Sequence, residues 1–455
     1  MLTYELKKQP GVPLYEALYR CIRSDILSGK LATGQKLPSK RALAQHLEIS
    51  NITVEGAYDQ LLAEGYIQSR ERIGYFVEAI TEHAPQKQIS APPPEAPGWE
   101  IDLTVNASTD FPFSVWSRLQ RQVMQDFPRE LLLPMPNLGL WELRCAIAQH
   151  LADFRGMQVL PEHILVGAGT DFLYNLLIQL LGRDKVYAVE EPGYGKIRKI
   201  YAAGGVRCVS AAMDAQGVIP QALTDAQILH ISPSHHFPTG LVTSRERRNA
   251  LLAWAYGQDD RYIIEDDYDS EFRFSSHPMP TMESMDSRGR VIYMNTFSKT
   301  LAPSIRISYM VLPGELMSRF QARLGFYSCT VPSFEQYTLT RFLQEGHFEK
   351  HLNRMRKAYK ARRNAVTSVL LESPFAGQIR LLEQDAGLHF LLQIDTELTE
   401  EALVQRFADA GIRVRTLSSY YHGAVPLQEQ NCLLINYSGL QPSQISLLAQ
   451  KLQTL

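Results

Sequence analysis

The chain has 455 residues, 45% of them hydrophobic and 21% charged, with a formal net charge of −2. That length is too great for one hydrophobic core and predicts two or three domains. The balanced charge excludes a global field drawing the protein to nucleic acid or membrane, so any DNA binding must rest on a local patch. Five scattered cysteines (Cys21, Cys145, Cys208, Cys329, Cys432) without a C-x-x-C pair argue against a disulfide framework or a zinc site. The N-terminus lacks an apolar signal region and no apolar run is long enough to span a bilayer. A cytoplasmic protein, without membrane contact or structural metal, is expected.

Residues 1–78 form the first unit. Leu14, Leu18, Cys21, Ile22 and Ile26 recur at helical spacing, which predicts a helix over about 13–28 that Ser28 and Gly29 stop. Ser39 is a candidate N-cap for a helix over Lys40 to Leu47. Glu48 to Ser50 is a turn, and Asn51 to Glu64 a third helix with Val54, Ala57, Tyr58, Leu61 and Leu62 on one face. Gly65 ends it. Tyr66 to Ser69 and Tyr75 to Val77 read as strands around a turn from Arg70 to Gly74. Three helices and a hairpin in this order make a winged helix–turn–helix. The segments Leu37-Pro-Ser-Lys-Arg-Ala-Leu-Ala44, Ser50-Asn-Ile-Thr-Val-Glu-Gly-Ala-Tyr58 and Glu64-Gly-Tyr-Ile67 resemble the GntR family. The resemblance implies double-stranded DNA as partner. The cations cluster on the second helix and the wing, so Lys40, Arg41, Asn51, Thr53, Arg70 and Arg72 are the candidate DNA residues. Asn51 stands where the family often has an arginine. It keeps the ability to read an adenine edge but loses a charge for phosphate.

Residues 79–98 include Ala91-Pro-Pro-Pro-Glu-Ala-Pro97-Gly98 and read as a semi-extended spacer. From residue 99 to 455 apolar runs alternate with helical patterns, as in βαβ folds. Ile164 to Thr170 is a strand entering a glycine loop, and Asp171 to Leu181 the helix that follows; free N–H groups at such a junction bind anions. Val186 to Tyr194, Ile228 to Gly240 and Tyr262 to Phe272 are strands with polar exits. The paired His235 and His236 invite a metal, but adjacent side chains diverge in an extended chain, and none is assigned. Lys350 to Arg363 is a basic helix, read as a solvated face. Ala386 to Leu392 and Ile412 to Leu417 are further strands.

The stretch Val291 to Met310 carries the chemistry. A β-branched and aromatic run leads into Thr296, Phe297, Ser298 and Lys299, with Arg306 seven residues on. A lysine between small hydroxyls, followed by an arginine, suits pyridoxal phosphate (PLP): an amine for its aldehyde, and hydroxyls and a guanidinium for its phosphate. This S-K-x-x-x-x-x-x-R pattern resembles fold-type-I aminotransferases. The resemblance implies that Lys299 forms the Schiff base and that Gly169, Thr170, Thr296, Ser298 and Arg306 hold the phosphate. Tyr194, in Glu190-Glu-Pro-Gly-Tyr194, would stack on the ring. Asp266 would face the pyridine nitrogen, with Asp267 as its rival, and Tyr268, two residues on along the same strand face, the ring oxygen. Two departures stand out. Phe237 occupies the place of an asparagine that hydrogen-bonds the ring oxygen, leaving His235 or His236 as substitutes. Leu434 occupies the place of the arginine that clamps a substrate carboxylate, leaving Arg413 or Arg415.

Taken whole, the chain resembles the MocR/GabR-type regulators. The implied fold is multidomain: an N-terminal winged helix–turn–helix, then an α/β PLP-dependent transferase fold of the type I aminotransferase kind. Its sheet would be mostly parallel, with a smaller C-terminal α+β subdomain over about 331–455. Also implied are a homodimer with the DNA domain crossing to the partner, an operator of two half-sites, and as effector a small amine, an amino acid or PLP itself. Transamination is expected to be weak or absent. An active aminotransferase with an accessory DNA-binding domain, and a DNA-binding module on a dimerisation scaffold, are the alternatives.

Overall fold

The computed structural model describes residues 2–4, 6, 13–79, 98–105, 110–272, 279–383 and 387–453. Two compact units divide the chain, Met1–Ala96 and Pro97–Leu455. The expected spacer falls largely on residues 80–97, outside the described residues.

In the first unit, α1 (Leu14–Leu27), α2 (Lys40–His46) and α3 (Asn51–Ala63) precede a hairpin of β1 (Ile67–Arg70) and β2 (Gly74–Val77). Serines start both helices of the helix–turn–helix. Ser39 Oγ accepts from the Ala42 N–H at 3.2 Å, and Ser50 Oγ from the Thr53 N–H at 3.1 Å. Ser50, read as turn from the sequence, is therefore the N-cap of α3. Each such cap contributes about 1 kcal/mol by satisfying an otherwise unpaired N–H. Val54, Ala57, Tyr58 and Leu61 pack with Leu18, Ile22 and Leu43, while Leu62 lies only at the edge of that core. The hairpin pairs Ile67 with Val77 and Arg70 with Gly74. Its turn is thus shorter than expected, and Arg72 takes a left-handed backbone at φ 59°.

The second unit begins with β3 (Ile101–Asp102), α4 (Phe113–Asp126), α5 (Trp141–Arg155), β4 (Ile164–Gly167), α6 (Thr170–Leu181) and β5 (Val186–Glu191). It continues with α7 (Gly195–Ala203), β6 (Arg207–Asp214), β7 (Gly217–Val218), β8 (Ile228–Ile231), α8 (Arg245–Tyr256), β9 (Tyr262–Asp266), α9 (Met282–Met285), β10 (Val291–Thr296) and β11 (Ser308–Val311). The eight strands from β4 to β11 form one sheet in the order β4-β11-β10-β9-β8-β5-β6-β7. Strands β10, β9, β8, β5 and β6 run parallel, and β11 and β7 are antiparallel to their neighbours. β4, β8, β9, β10 and β11 are buried throughout, as their near-continuous apolar runs require for a sheet covered on both faces. Polar residues gather where the strands end: Glu190 and Glu191 on β5, Asp266 on β9, Asn295 and Thr296 on β10.

The remaining elements are α10 (Gly314–Leu324), α11 (Ser333–Gln344), α12 (His347–Leu371), β12 (Ile379–Leu382), β13 (His389–Ile394), α13 (Glu400–Asp409), β14 (Ile412–Arg413), β15 (Arg415–Thr416), β16 (Cys432–Asn436) and α14 (Pro442–Leu452). An antiparallel sheet runs β12-β13-β16-β15, and β14 pairs in parallel with β3. The segment near Ile101 thus joins the C-terminal elements, which a subdomain starting near 331 does not anticipate. The strand expected over Ile412 to Leu417 breaks at Val414: β14 pairs with β3 and β15 with β16. Of the strand expected over Ala386 to Leu392, Ala386 lies outside the described residues.

Candidate functional site

The carboxyl ends of β5, β8, β9 and β10 open onto a cavity of about 410 Å³. Open α/β sheets bind ligands at this edge, where loops leave the strands and helix N-termini point inward. Lys299, Asp266, Tyr268, Tyr194, Thr170, Thr296, Ser298 and Arg306 all line it. Burial holds the Lys299 amine below the ordinary lysine value, against the opposing pull of Asp269 and Asp266.

Asp266 ends β9 and is 5% exposed. Its Oδ2 accepts from the Tyr174 hydroxyl and lies 3.5 Å from His230 Nε2, and the other ring nitrogen of His230 is 2.7 Å from the Tyr201 hydroxyl. Its Oδ1 is buried without a protein partner. Asp267 is turned elsewhere: its Oδ2 meets Arg155 at 3.1 Å and accepts from Tyr293 at 2.7 Å, and it does not line the cavity. Because β9 ends at Asp266, the shared strand face expected for Tyr268 does not exist; Tyr268 enters from the bend that follows, its hydroxyl 3.2 Å from His235 Nδ1.

At the other end of the cavity, α6 starts at Gly169 with no side chain capping its N–H groups. Gly169 has φ 89° and ψ 159°, and a Cβ there would lie 2.1 Å from Arg306 Nη2. Only glycine lets the guanidinium lie against this turn. Arg306 is 3.4 Å from Asp171, which also binds Lys196 at 2.6 Å. The Ser298 hydroxyl is buried without a partner, whereas that of Thr296 accepts from Ser308 at 2.8 Å and from the Ser298 N–H at 3.1 Å. Ser298 therefore offers its hydroxyl, and that of Thr296 is engaged in holding the loop.

Neither histidine proposed to replace the missing asparagine lines the cavity. His235 Nδ1 is 2.8 Å from Asp269, and His236 Nδ1 is 2.7 Å from the Thr239 hydroxyl. Phe237 packs edge-on against Tyr194, His389 and Tyr420, with centroids 5.7, 5.3 and 5.2 Å apart. Leu434 is core, 1% exposed and clustered with Leu391, Leu417 and Tyr420. Of the two arginines considered in its stead, Arg413 pairs with Asp102 at 3.2 Å outside the cavity, while Arg415 lines it, opposite Leu434 across the β15–β16 ladder.

Sequence reasoning missed Tyr174, His230, Glu190, Arg198, Ser232 and His422. A lone histidine in the apolar run of β8 and the place of Glu190 at the head of Glu190-Glu-Pro-Gly-Tyr194 were usable signals; the others had none. Burial pushes the Glu190 carboxyl up to about 8, although its Oε2 accepts from the Ser232 N–H. Glu191 accepts from the N–H groups of His422 and Gly423 at 2.9 and 2.6 Å, tying that loop to the end of β5.

In the first unit, Arg41, Asn51, Arg70 and Arg72 are exposed, and Thr53 is half-buried with its hydroxyl 2.8 Å from that of Ser50. Lys40 is held by Glu55 at 2.9 Å and Asp59 at 3.4 Å. Burial opposes its charge, but hydrogen bonds to Glu55, Tyr75 and Asp59 outweigh that and raise its pKa. Arg70 lies 4.7 Å over the Phe76 ring.

Two family models cover the two units. Residues 14–77 match the bacterial regulatory proteins of the gntR family, and residues 100–452 match aminotransferase class I and II. The protein is thus a DNA-binding transcription regulator carrying an aminotransferase-like domain. Relatives align end to end: the Bacillus subtilis HTH-type transcriptional regulator YdeL, 35% identical over 98% of this chain and 97% of that protein, and the probable rhizopine catabolism regulatory protein MocR of Rhizobium meliloti, 31% identical over 96% and 92%. The pyridoxine biosynthesis transcriptional regulator PdxR of Corynebacterium glutamicum is 31% identical over 88% and 87%. The second unit shares its fold with a kynurenine aminotransferase from Pyrococcus horikoshii, at a TM-score of 0.67 and 23% identity over 78% of this chain and 91% of that one. The chain belongs to the MocR-type family of GntR regulators. Its cofactor is PLP, and the cavity fits it: an unpartnered carboxylate oxygen, an unpartnered hydroxyl, a helix N-terminus without a side-chain cap and a half-buried lysine face one space. No helix among the described residues is long and apolar enough to cross a membrane.

Proposed function

We propose that this regulator senses a small amine or amino acid, or PLP itself, in the cavity at the carboxyl ends of β5 to β10, and answers by changing its grip on an operator. The observation that carries this reading is the shared cavity of Lys299, Asp266, Tyr268, Tyr194, Ser298 and Arg306. When bound, PLP supplies an aldehyde carbon and an electron-accepting ring. Burial favours the neutral, nucleophilic form of Lys299. Tyr174 fixes Asp266, with His230 Nε2 3.5 Å away, so that its free Oδ1 would be left to hold a proton on the ring nitrogen of the bound cofactor. Tyr268 would hold the ring oxygen, and Tyr194, half-exposed, would cover the ring. Arg306, Ser298 and the Thr170 N–H would bind the phosphate, while the Gly169 N–H is engaged by the Gly167 carbonyl at 2.9 Å and Gly169 serves by leaving room for Arg306. Arg415 takes the effector carboxylate.

Two copies of the chain, with the DNA-binding units exchanged, would present two recognition helices to two half-sites, Arg41 and Arg72 on phosphates and Asn51 on a base. A cytoplasmic location accords with this role. Turnover as an aminotransferase is the second reading; core Leu434 in the place of the clamping arginine favours weak or absent transamination.

Absorbance of the purified protein tests the reading. A band from the lysine-bound cofactor is expected in the wild type and absent in Lys299→Ala, and candidate amines should shift it while altering DNA binding. An unchanged band in Lys299→Ala removes that residue from its role. Steady keto-acid release at about 1 per second or faster, the ordinary enzyme range, would favour the enzyme.

A further inference from the structure

Ile52 has no place in the core of the first unit. It is 79% exposed, yet it sits in the first turn of α3 between Asn51 and Thr53. At about 100° per residue, the buried residues Val54, Ala57, Tyr58 and Leu61 gather on one side of α3, and Ile52 projects from the opposite side. Glu55 and Asp59 share its outward side, but both are paired to Lys40. The most outward side chain of the first turn is therefore uncharged and apolar.

Single exposed apolar residues are common and need no explanation by themselves. Position distinguishes this one. A recognition helix presents its N-terminal residues to base edges in the major groove. There the thymine 5-methyl is the apolar feature of the four bases, and aliphatic contact is how it is read. A branched side chain with no hydrogen-bonding group gains nothing from phosphate, water or the polar edges of the other bases. We propose that Ile52 reads a thymine methyl group in the operator and so sets sequence preference beside Asn51. The inference rests on α3 being the helix that enters the groove.

The test uses the full-length protein and a duplex enriched from a random DNA pool by the wild type. Each thymine is replaced singly by deoxyuridine, which removes the methyl and leaves the pairing edges intact. In each half-site one replacement should weaken wild-type binding about fourfold, the value of one buried CH₂ group. The same replacement should leave Ile52→Ala unaffected, with Ile52→Val between the two. Ile52 is on the surface, so both variants should fold, and near-wild-type melting temperatures check this.

If no deoxyuridine costs the wild type affinity, or the sensitive position is equally sensitive in Ile52→Ala, the assignment fails. Asn51→Ala separates that failure from a deeper one. Should it still relax preference for the enriched duplex over a scrambled one, α3 is in the groove and only the role of Ile52 is wrong. Should it change nothing, the helix placement fails, and the inference with it. Failure to enrich any duplex would overturn both.

Discussion

Substituting Gly169 by alanine probes the phosphate end of the cavity most directly. Two effects follow from its geometry and separate experimentally. The backbone at φ 89° and ψ 159° belongs to a region open almost only to glycine, and an alanine held there costs about 1–3 kcal/mol of stability. The new methyl would also stand 2.1 Å from Arg306 Nη2 and 2.5 Å from its Cζ. A guanidinium at the end of a flexible, half-exposed side chain yields before the backbone does, so Arg306 swings out of the cavity. Losing one charge-assisted hydrogen bond to phosphate weakens PLP by about 1.5–3 kcal/mol, or roughly 10–150-fold. Thermal melts of the cofactor-free protein report the first effect and PLP titrations followed by absorbance the second. Arg306→Ala should match the second effect without the first. Because both substitutions act on one contact, the double variant should bind PLP no worse than Arg306→Ala alone, a non-additivity expected of residues that touch. Losses that add in the double variant would refute the account, as would wild-type PLP affinity in Gly169→Ala.

Three further outcomes are expected. Arg415→Met should weaken a carboxylate effector roughly 10–150-fold, the loss of one charged hydrogen bond, while Arg413→Met, tied to Asp102 outside the cavity, should respond as the wild type in the same titrations; equal responses would unseat Arg415. Removing the charge at Arg41 or Arg72 should flatten the dependence of log affinity on log salt by about 0.9 each and weaken all DNA sequences alike, which titrations at several salt concentrations measure. Burial, reinforced by Asp267, raises the Glu271 carboxyl to about 7. A raised carboxyl stabilises fully below its unfolded value near 4.5 and loses that contribution as pH climbs through 7, a swing of about 3 kcal/mol at most. Between pH 5 and pH 8 the melting temperature of the wild type should therefore drop relative to that of Glu271→Gln measured at the same pH; parallel curves would count against it.

The sequence by itself determined the two units and most of their elements. Local rules suffice for this: helical periodicity in α1 and α3, a serine before each helix of the helix–turn–helix, and all-apolar strands that end in polar residues. It also singled out Lys299 and Arg306 as candidates, because lysine, hydroxyls and arginine lie within one short stretch, and both line the cavity. Tertiary structure decided what depends on distant segments. Adjacent aspartates at the end of β9 look equivalent in sequence; Tyr174 and His230 draw Asp266 to the cavity while Arg155 and Tyr293 bury Asp267. Arg413 and Arg415 would share a face in any continuous strand. They part only because β3, more than 300 residues earlier, captures one half of that strand and β16 the other. Periodicity along a chain encodes which face is buried, but the partner that arrives on that face comes from elsewhere, and here it selected the residues of the site.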